Sequence, residues 1–193
     1  MNRTAVVERA TAETRVTAEL TLEGTGRASL ETGVPFFDHL LSAMVRHAGF
    51  DLVLRASGDL EVDPHHTVED AAIVLGWAFR QALGSGEGIA RYASVHLPMD
   101  EALVLLALDI SGRPFLSFDV AFPTDHVGGF PVDLVEEALR AFAAHGAVTL
   151  HVDLVRGRNT HHIAEAVFKG LGVVLGRAAV VVGGGVPSTK GVL

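Results

Sequence analysis

The chain contains no cysteine, which excludes disulfides, thiolate metal ligands and a cysteine nucleophile together. It is also short of positive charge: 15 Lys and Arg stand against 23 Asp and Glu, a formal net charge of -8 with His neutral. A general nucleic-acid surface therefore has no electrostatic support, although the balance leaves room for a local anion pocket. No stretch approaches the ~20 apolar residues of a membrane span, and the opening segment MNRTAVVERATAETRV lacks the apolar run of a secretion signal. The longest apolar piece, LVLLAL at 103–108, has strand length. Walker, GxGxxG and HExxH patterns are missing too, so nucleotide binding and zincin chemistry are not indicated. An acidic protein with neither nucleic-acid nor membrane partners is expected, and a reducing cytoplasm suits the absence of cysteine.

What is present is apolar: 49 % of the 193 residues are hydrophobic, enough to bury a core in one domain or in two intimately joined small ones. Alternation in TRVTAELTL (14–22) predicts a strand with one face covered, EGTG a turn, and RASLETG a second short strand. PFFDHLLSAMVRHAG changes to helical spacing, DLVLRASGD returns to strand, and HTVEDAAIVLGWAFRQALG carries one apolar stripe and a stopping glycine. The same order then recurs in ALVLLALDISGRP, FLSFDVAF, DLVEEALRAFAAHG, AVTLHVDLVRG and HHIAEAVFKGLGVVLGRAAV. A boundary near residues 90–95 thus divides the chain into half-repeats 1–92 and 93–193, each a small sheet with helices on one face, sharing a core or oligomerising. Gly183, Gly184 and Gly185 introduce a tail, VPSTKGVL, that propensity alone makes loose.

The chemical marker of the repeat is HHTVED at 65–70 against HHIAEA at 161–166, two His-His-x-x-Glu elements whose starts are 96 residues apart. His39 precedes the first by 26 residues and Glu137 the second by 24, equivalent helix positions once two residues of loop change are allowed. Residues four apart share a helix face, so His65 and Glu69 can chelate one ion, and His161 and Glu165 another. His66 and His162 point roughly 100° away and would face the other ion. Across a pseudo-symmetric contact, one ion would take His65, Glu69, His162 and Glu137, and the other His161, Glu165, His66 and His39. Mixed nitrogen and oxygen donors without sulfur suit Mn, Fe, Co or Zn, manganese being the least surprising. The bland alternative is a helix N-terminus improved by Thr67, Glu69 and Asp70, but capping does not require adjacent histidines twice. His47 and His145, near helix ends, suit terminal carbonyls; His96, His126 and His151 have no metal-site spacing.

Three basic residues sit in turns: Arg91 after GSGEGIA, Arg113 in DISGRP and Lys190 in PSTK. With Ser188 they are candidates for phosphate contact, Arg by its fork and Lys as a mobile charge. Lys169, four residues after Glu165, can brace the helix, orient that carboxylate or meet an anion beside the metal. Glu13 and Asp100, each just before a strand, are turn residues or proton-transfer groups.

The blocks AETRV, TGVPFFDHLLSAMVRHAGFDL, GDLEVDPHHTVEDAAIVLG, GIARY, PMDEAL, DISGRP, RGRNTHHIAEAVFKG and PSTKGVL together resemble the imidazoleglycerol-phosphate dehydratases, from about residue 3 onward. No phosphatase domain accompanies them, so the single-function form is the one resembled. The resemblance implies an α+β fold made by tandem duplication, like domain 2 of ribosomal protein S5 with left-handed crossovers. It implies 24 subunits assembled from trimers, with paired manganese ions in active sites between subunits. His39, His65, His66, Glu69, His161, His162 and Glu165 would be metal ligands. Glu137 departs from several members, which carry His there, though a carboxylate is chemically competent. Arg91, Arg113, Ser188 and Lys190 would hold phosphate, with Lys169 close to substrate; Glu13 would serve as acid/base, and Glu165 and Asp100 as further site residues. The implied reaction converts D-erythro-imidazoleglycerol phosphate to imidazoleacetol phosphate with loss of water, in histidine biosynthesis. A metal-stapled, non-catalytic oligomer would explain the histidines but leave the basic cluster without purpose, and a metallohydrolase would release phosphate instead of water.

Overall fold

The computed structural model describes residues 3–191. The first half runs β1 (Thr4–Ala10), β2 (Thr14–Thr21), β3 (Ala28–Glu31), α1 (Pro35–Ala48), β4 (Asp51–Gly58) and α2 (His65–Leu83). The second runs β5 (Tyr92–Met99), β6 (Ala102–Asp109), β7 (Phe115–Asp119), a small hairpin β8 (His126–Val127) and β9 (Phe130–Pro131), α3 (Asp133–Gly146), β10 (Thr149–Arg156) and α4 (Thr160–Ala178). The sheet orders match strand for strand, β1-β2-β4-β3 and β5-β6-β10-β7. In each, three strands are antiparallel and the last pairs in parallel, β3 with β4 and β7 with β10. A parallel neighbour needs a crossover, which α1 and α3 supply.

Local chemistry accounts for the elements. On β2, Val16, Ala18 and Leu20 are buried and face one side, as period-2 alternation requires; on β6, Val104, Leu106 and Leu108 do the same. Pro35 opens α1 where its missing N–H costs nothing, and Gly49 closes it in the left-handed region at φ 75°, its N–H donating to Val45 O. The edge strands β1 and β5 and the β8–β9 hairpin are additions to the order expected from the sequence. Both edge strands alternate, exposed residues with buried or half-buried ones, and few positions on the inward face are fully buried, because an edge strand covers less of the core.

The helices lie between the two sheets. In the first half α2 packs on β1, β2 and β4, and in the second α4 packs on β5 and β6; across the seam α1 pairs with α4, and α2 with α3. Each helix pair therefore takes one member from each half, and the core is continuous through the seam, with Phe37, Phe79, Phe168 and Leu171 almost wholly buried. The duplication is legible in these contacts. A Cβ on Gly76 would press on Phe142 O and Gly146 N, and one on Gly172 would press on Met44 O and Ala48 N. Gly172 follows Gly76 by the same 96 residues that separate the two His-His elements.

The tail after α4 is held by hydrogen bonds. Val182 N donates to Gly88 O at 2.8 Å, Gly88 N donates to Gly185 O at 3.2 Å, and Arg91 Nη1 donates to Pro187 O at 2.6 Å. Among the described residues, no helix is long and apolar enough to cross a membrane.

Candidate metal centre and anion pocket

The N-termini of α2 and α4 present the two histidine pairs in the same way. Asp63 Oδ1 accepts from His65 N at 2.7 Å, and Asn159 Oδ1 accepts from His161 N at 2.9 Å, so a side chain two residues upstream fixes each first histidine. Within each pair the ring planes stand at 85°, with centroids 6.1 and 6.2 Å apart. Adjacent histidines on a helix start thus aim at different places, as the helix period predicts. Thr67 and Asp70 make no cap: both are buried, and Asp70 pairs with Arg9 at 2.8 Å and with Thr14.

At the α1–α4 seam, His39, His161 and Glu165 converge, their ligand atoms within 4.8 Å of one another. His39 and His161 each donate from Nε2 to Glu165 Oε2, at 3.0 and 3.1 Å, while Lys169 Nζ donates to Glu165 Oε1 at 2.8 Å. The carboxylate is shared: one oxygen faces the histidines, the other the ammonium. Burial alone would raise its pKa, but Lys169 and His39 outweigh it and hold the group near 2. Phe36 stands against both imidazoles, 6.0 Å from His39 and 5.0 Å from His161 between centroids, and Phe130 anchors the β8–β9 hairpin 5.4 Å from Phe36. The cluster opens on a cleft of roughly 590 Å³ lined largely by apolar groups.

His66 belongs to a second group with Glu13 and Asp59. Its Nδ1 donates to Asp59, 3.0 and 3.2 Å from the two oxygens, with Glu13 at 3.7 Å. His162 has a matching arrangement: Nδ1 donates to Glu101 Oε2 at 2.8 Å, and the exposed Asp100 lies 3.8 Å from Nε2. Hydrogen bonds to Asp59 and Glu101 raise the pKa of the respective histidine, and the bond from His162 holds the Glu101 carboxyl near 2.

Three members of one expected ligand set, His39, His161 and Glu165, therefore meet within a single chain, while the fourth, His66, stands in the other group. Among the described residues, His65, Glu69, Glu137 and His162 form no such cluster. The α2–α3 seam offers two carboxylates and one imidazole where the α1–α4 seam offers two imidazoles and one carboxylate, and without a cation two carboxylates repel. Of the other histidines, His47 Nδ1 donates to Ala43 O at 2.8 Å, the expected end-of-helix bond, whereas His145 stacks on Trp77 at 5.3 Å. His96, His126 and His151 are exposed.

Sequence reasoning passed over Asp59 and Glu101. It paired Glu13 with Asp100, but strand register places Thr14 at the start of β2 as Ala102 starts β6, so Glu13 corresponds to Glu101. Counting back from the strand, not from the turn, would have found it. Asp100 takes a left-handed backbone, φ 49°, in the tight β5–β6 turn.

Arg91, Arg113, Ser188 and Lys190 line one basic pocket with Tyr92, away from the histidines. Arg91 is 8 % exposed, grips both Asp109 oxygens at 2.7 and 3.2 Å, and reaches Pro187 O, so most of its fork is held by Asp109 and one arm ties down the tail. Arg113, with a side chain 65 % exposed and Asp109 no nearer than 3.9 Å, gives one bond to Ser111 O at 3.1 Å and keeps the rest of its fork for a ligand.

These features define a class: a duplicated α+β protein with a histidine–carboxylate donor set at a helix seam and a separate anion pocket. A model of the imidazoleglycerol-phosphate dehydratase family matches residues 32–175. The imidazoleglycerol-phosphate dehydratase of Desulforudis audaxviator is 55% identical over 192 residues, covering 99% of this chain and 98% of that protein. That of Azorhizobium caulinodans is 55% identical over 195 residues, with 99% and 98% covered. Among solved structures, the enzyme from Pyrococcus furiosus superposes with TM-score 0.85 at 37% identity, covering 97% of this chain and 100% of that one. The Staphylococcus aureus enzyme gives 0.83 at 35% identity, with 91% and 97% covered. The chain belongs to the imidazoleglycerol-phosphate dehydratase family.

Proposed function

We propose that the chain removes water from D-erythro-imidazoleglycerol phosphate to give imidazoleacetol phosphate, as a manganese-dependent hydro-lyase of histidine biosynthesis acting in the cytoplasm. The observation that carries the reading, in a chain of this family, is the convergence of His39, His161 and Glu165 across the helix seam. Two imidazoles and an ionised carboxylate without sulfur suit a divalent ion of intermediate softness. Two Mn2+ per active site are assigned to His39, His65, His66, Glu69, Glu137, His161, His162 and Glu165. Bound ions supply Lewis-acid stabilisation of charge developing on the azole and on a neighbouring hydroxyl. Because one chain gathers three members of one ligand set and does not cluster the other, the reading includes a homo-oligomer, 24 subunits built from trimers, whose active sites are completed between subunits. Within it the half-repeats 1–92 and 93–193 act as one unit, the second carrying the substrate-binding tail.

The remaining chemistry falls to the chain's own side chains. Arg113, Ser188 and Lys190 hold the phosphate, and Arg91 holds both phosphate and tail, fixing the distance from phosphate to the reacting carbons. The hydrogen leaving C2 has no adjacent carbonyl to acidify it, so electrons must come from the azole ring to expel the C3 hydroxyl. Loss of the C2 proton then gives an enol that becomes the ketone. Glu13, exposed beside His66, is the acid/base candidate; Asp100, Glu165 and Lys169 complete the polar surround. The test is to strip metal with a chelator and follow ketone formation with and without added Mn2+. Activity should vanish and return with Mn2+; a folded protein that Mn2+ does not reactivate refutes the reading, and inorganic phosphate as product favours a hydrolase.

A further inference from the structure

We infer that Glu101 and Asp59 are positioning residues that set the tautomer and aim of one histidine in each pair, His162 and His66, so that Nε2 is the atom offered to metal. The inference rests on the metal reading above and deepens it. Neutral imidazole carries one proton on either nitrogen, and only the bare nitrogen can ligate; a carboxylate at Nδ1 holds the proton there and raises the basicity of Nε2. Both histidines have such a carboxylate, at 2.8 Å for His162 and 3.0 Å for His66. The two carboxylates come from different places in the repeat. Glu101 stands in the β5–β6 turn, whereas Asp59 follows β4. The first-half counterpart of Glu101 is Glu13, which lies 3.7 Å from His66 Nδ1. Asp59 thus takes the bond that Glu101 makes in the second half, leaving Glu13 outside hydrogen-bonding distance and available for proton transfer.

The geometry at Glu101 yields a prediction that separates positioning from mere support. Its Oε1 accepts the backbone N–H groups of Arg158 (3.1 Å) and Asn159 (2.8 Å), while Oε2 alone faces His162. In Glu101→Gln the two backbone donors retain the amide oxygen at the Oε1 position, which turns the NH2 toward His162 Nδ1. The imidazole must then accept at Nδ1 and carry its proton on Nε2, the atom the metal needs. Glu101→Ala removes the support altogether but leaves the tautomer free. Asp59→Asn can likewise present an NH2 to His66 Nδ1.

The experiment titrates metal-free wild type, Glu101→Gln, Glu101→Ala and Asp59→Asn with Mn2+ by calorimetry, alongside the melting temperature of each metal-free protein. Positioning predicts that Glu101→Gln melts close to wild type yet binds Mn2+ about 10–100-fold more weakly, and more weakly than Glu101→Ala; Asp59→Asn should weaken binding by a similar factor. If Glu101→Ala does not fold, Glu101→Gln and Asp59→Asn decide alone. Mn2+ affinity within about threefold of wild type in both amide variants overturns the inference, as does a loss that tracks falling melting temperature and is greatest in Glu101→Ala. Failure of wild type to bind Mn2+ overturns the metal reading itself, and this inference with it.

Discussion

Gly172 marks the closest approach of α1 and α4, and Gly172→Ala should wedge them apart. An added Cβ would fall 3.0 Å from Met44 C and 3.1 Å from Ala48 N, and nearer still to Met44 O. These are backbone atoms, so no side-chain rotation relieves the overlap, and one helix must withdraw by about 1 Å to restore normal contact. Overpacking of this kind costs about 1–3 kcal/mol, against which the better helix propensity of Ala returns up to ~1 kcal/mol. A net loss of about 1–2 kcal/mol corresponds to a fall of roughly 2–8 °C in melting temperature for a chain of this size. Gly146→Ala is the internal control. Its Cβ would meet Gly76 O at 3.7 Å and Gly76 Cα and Phe142 Cζ at 3.8 Å, all ordinary contact distances, so its melting temperature should be unchanged or slightly higher. Gly76→Ala, with contacts at 2.8 and 2.9 Å, should fall between the two. The same wedge draws His39 on α1 away from Glu165 on α4, so Mn2+ should bind Gly172→Ala more weakly than Gly146→Ala. Differential scanning calorimetry of the metal-free proteins at one concentration measures the series. A Gly172→Ala protein that melts at or above wild type, or no lower than Gly146→Ala, would refute the seam argument.

Arg113→Ala should raise KM for the phosphorylated substrate about 10-fold or more, through loss of a charge-assisted contact of about 1.5–3 kcal/mol, without lowering melting temperature. Arg91→Ala should do both, since it also strands the partly buried Asp109 and releases the tail at Pro187; equal melting temperatures for the two variants would contradict their assigned difference. Glu23, where burial is outweighed by hydrogen bonds from Arg3, has its pKa lowered from 4.5. A lowered carboxyl pKa stabilises the fold above the unfolded pKa and ceases to do so as pH falls through the folded one. Glu23→Gln should therefore cost up to about 1 kcal/mol at pH 7, and urea titrations should show the difference from wild type shrinking below about pH 4.5; a difference that grows on acidification would reverse the sign.

The half-repeat, the four helices and the central strands were legible in the chain because each rests on local periodicity: Val16, Ala18 and Leu20 alternate, and Gly49 and Gly84 follow helix ends. The His-His-x-x-Glu pairs were legible for the same reason, since four-residue spacing on a helix needs no tertiary knowledge. Edge strands β1 and β5 were missed because the alternation is weak in residue type: on β1 the inward positions are Ala5, Val7 and Arg9 while the apolar Val6 faces outward. Asp59 and Glu101 were missed because a carboxylate seven or sixty-one residues from its histidine leaves no local signature.

The sequence by itself determined that the chain carries two copies of a histidine–glutamate donor set and one group of basic residues in turns, since duplication and helical period are properties of order along the chain. Only the tertiary structure decided which of them meet. Pairing α1 with α4 brings His39 to His161 and Glu165. That choice is made by core packing, where Gly76, Gly172 and Gly176 let backbones touch across the helix pairs, and packing is a relation between distant residues that no local pattern records.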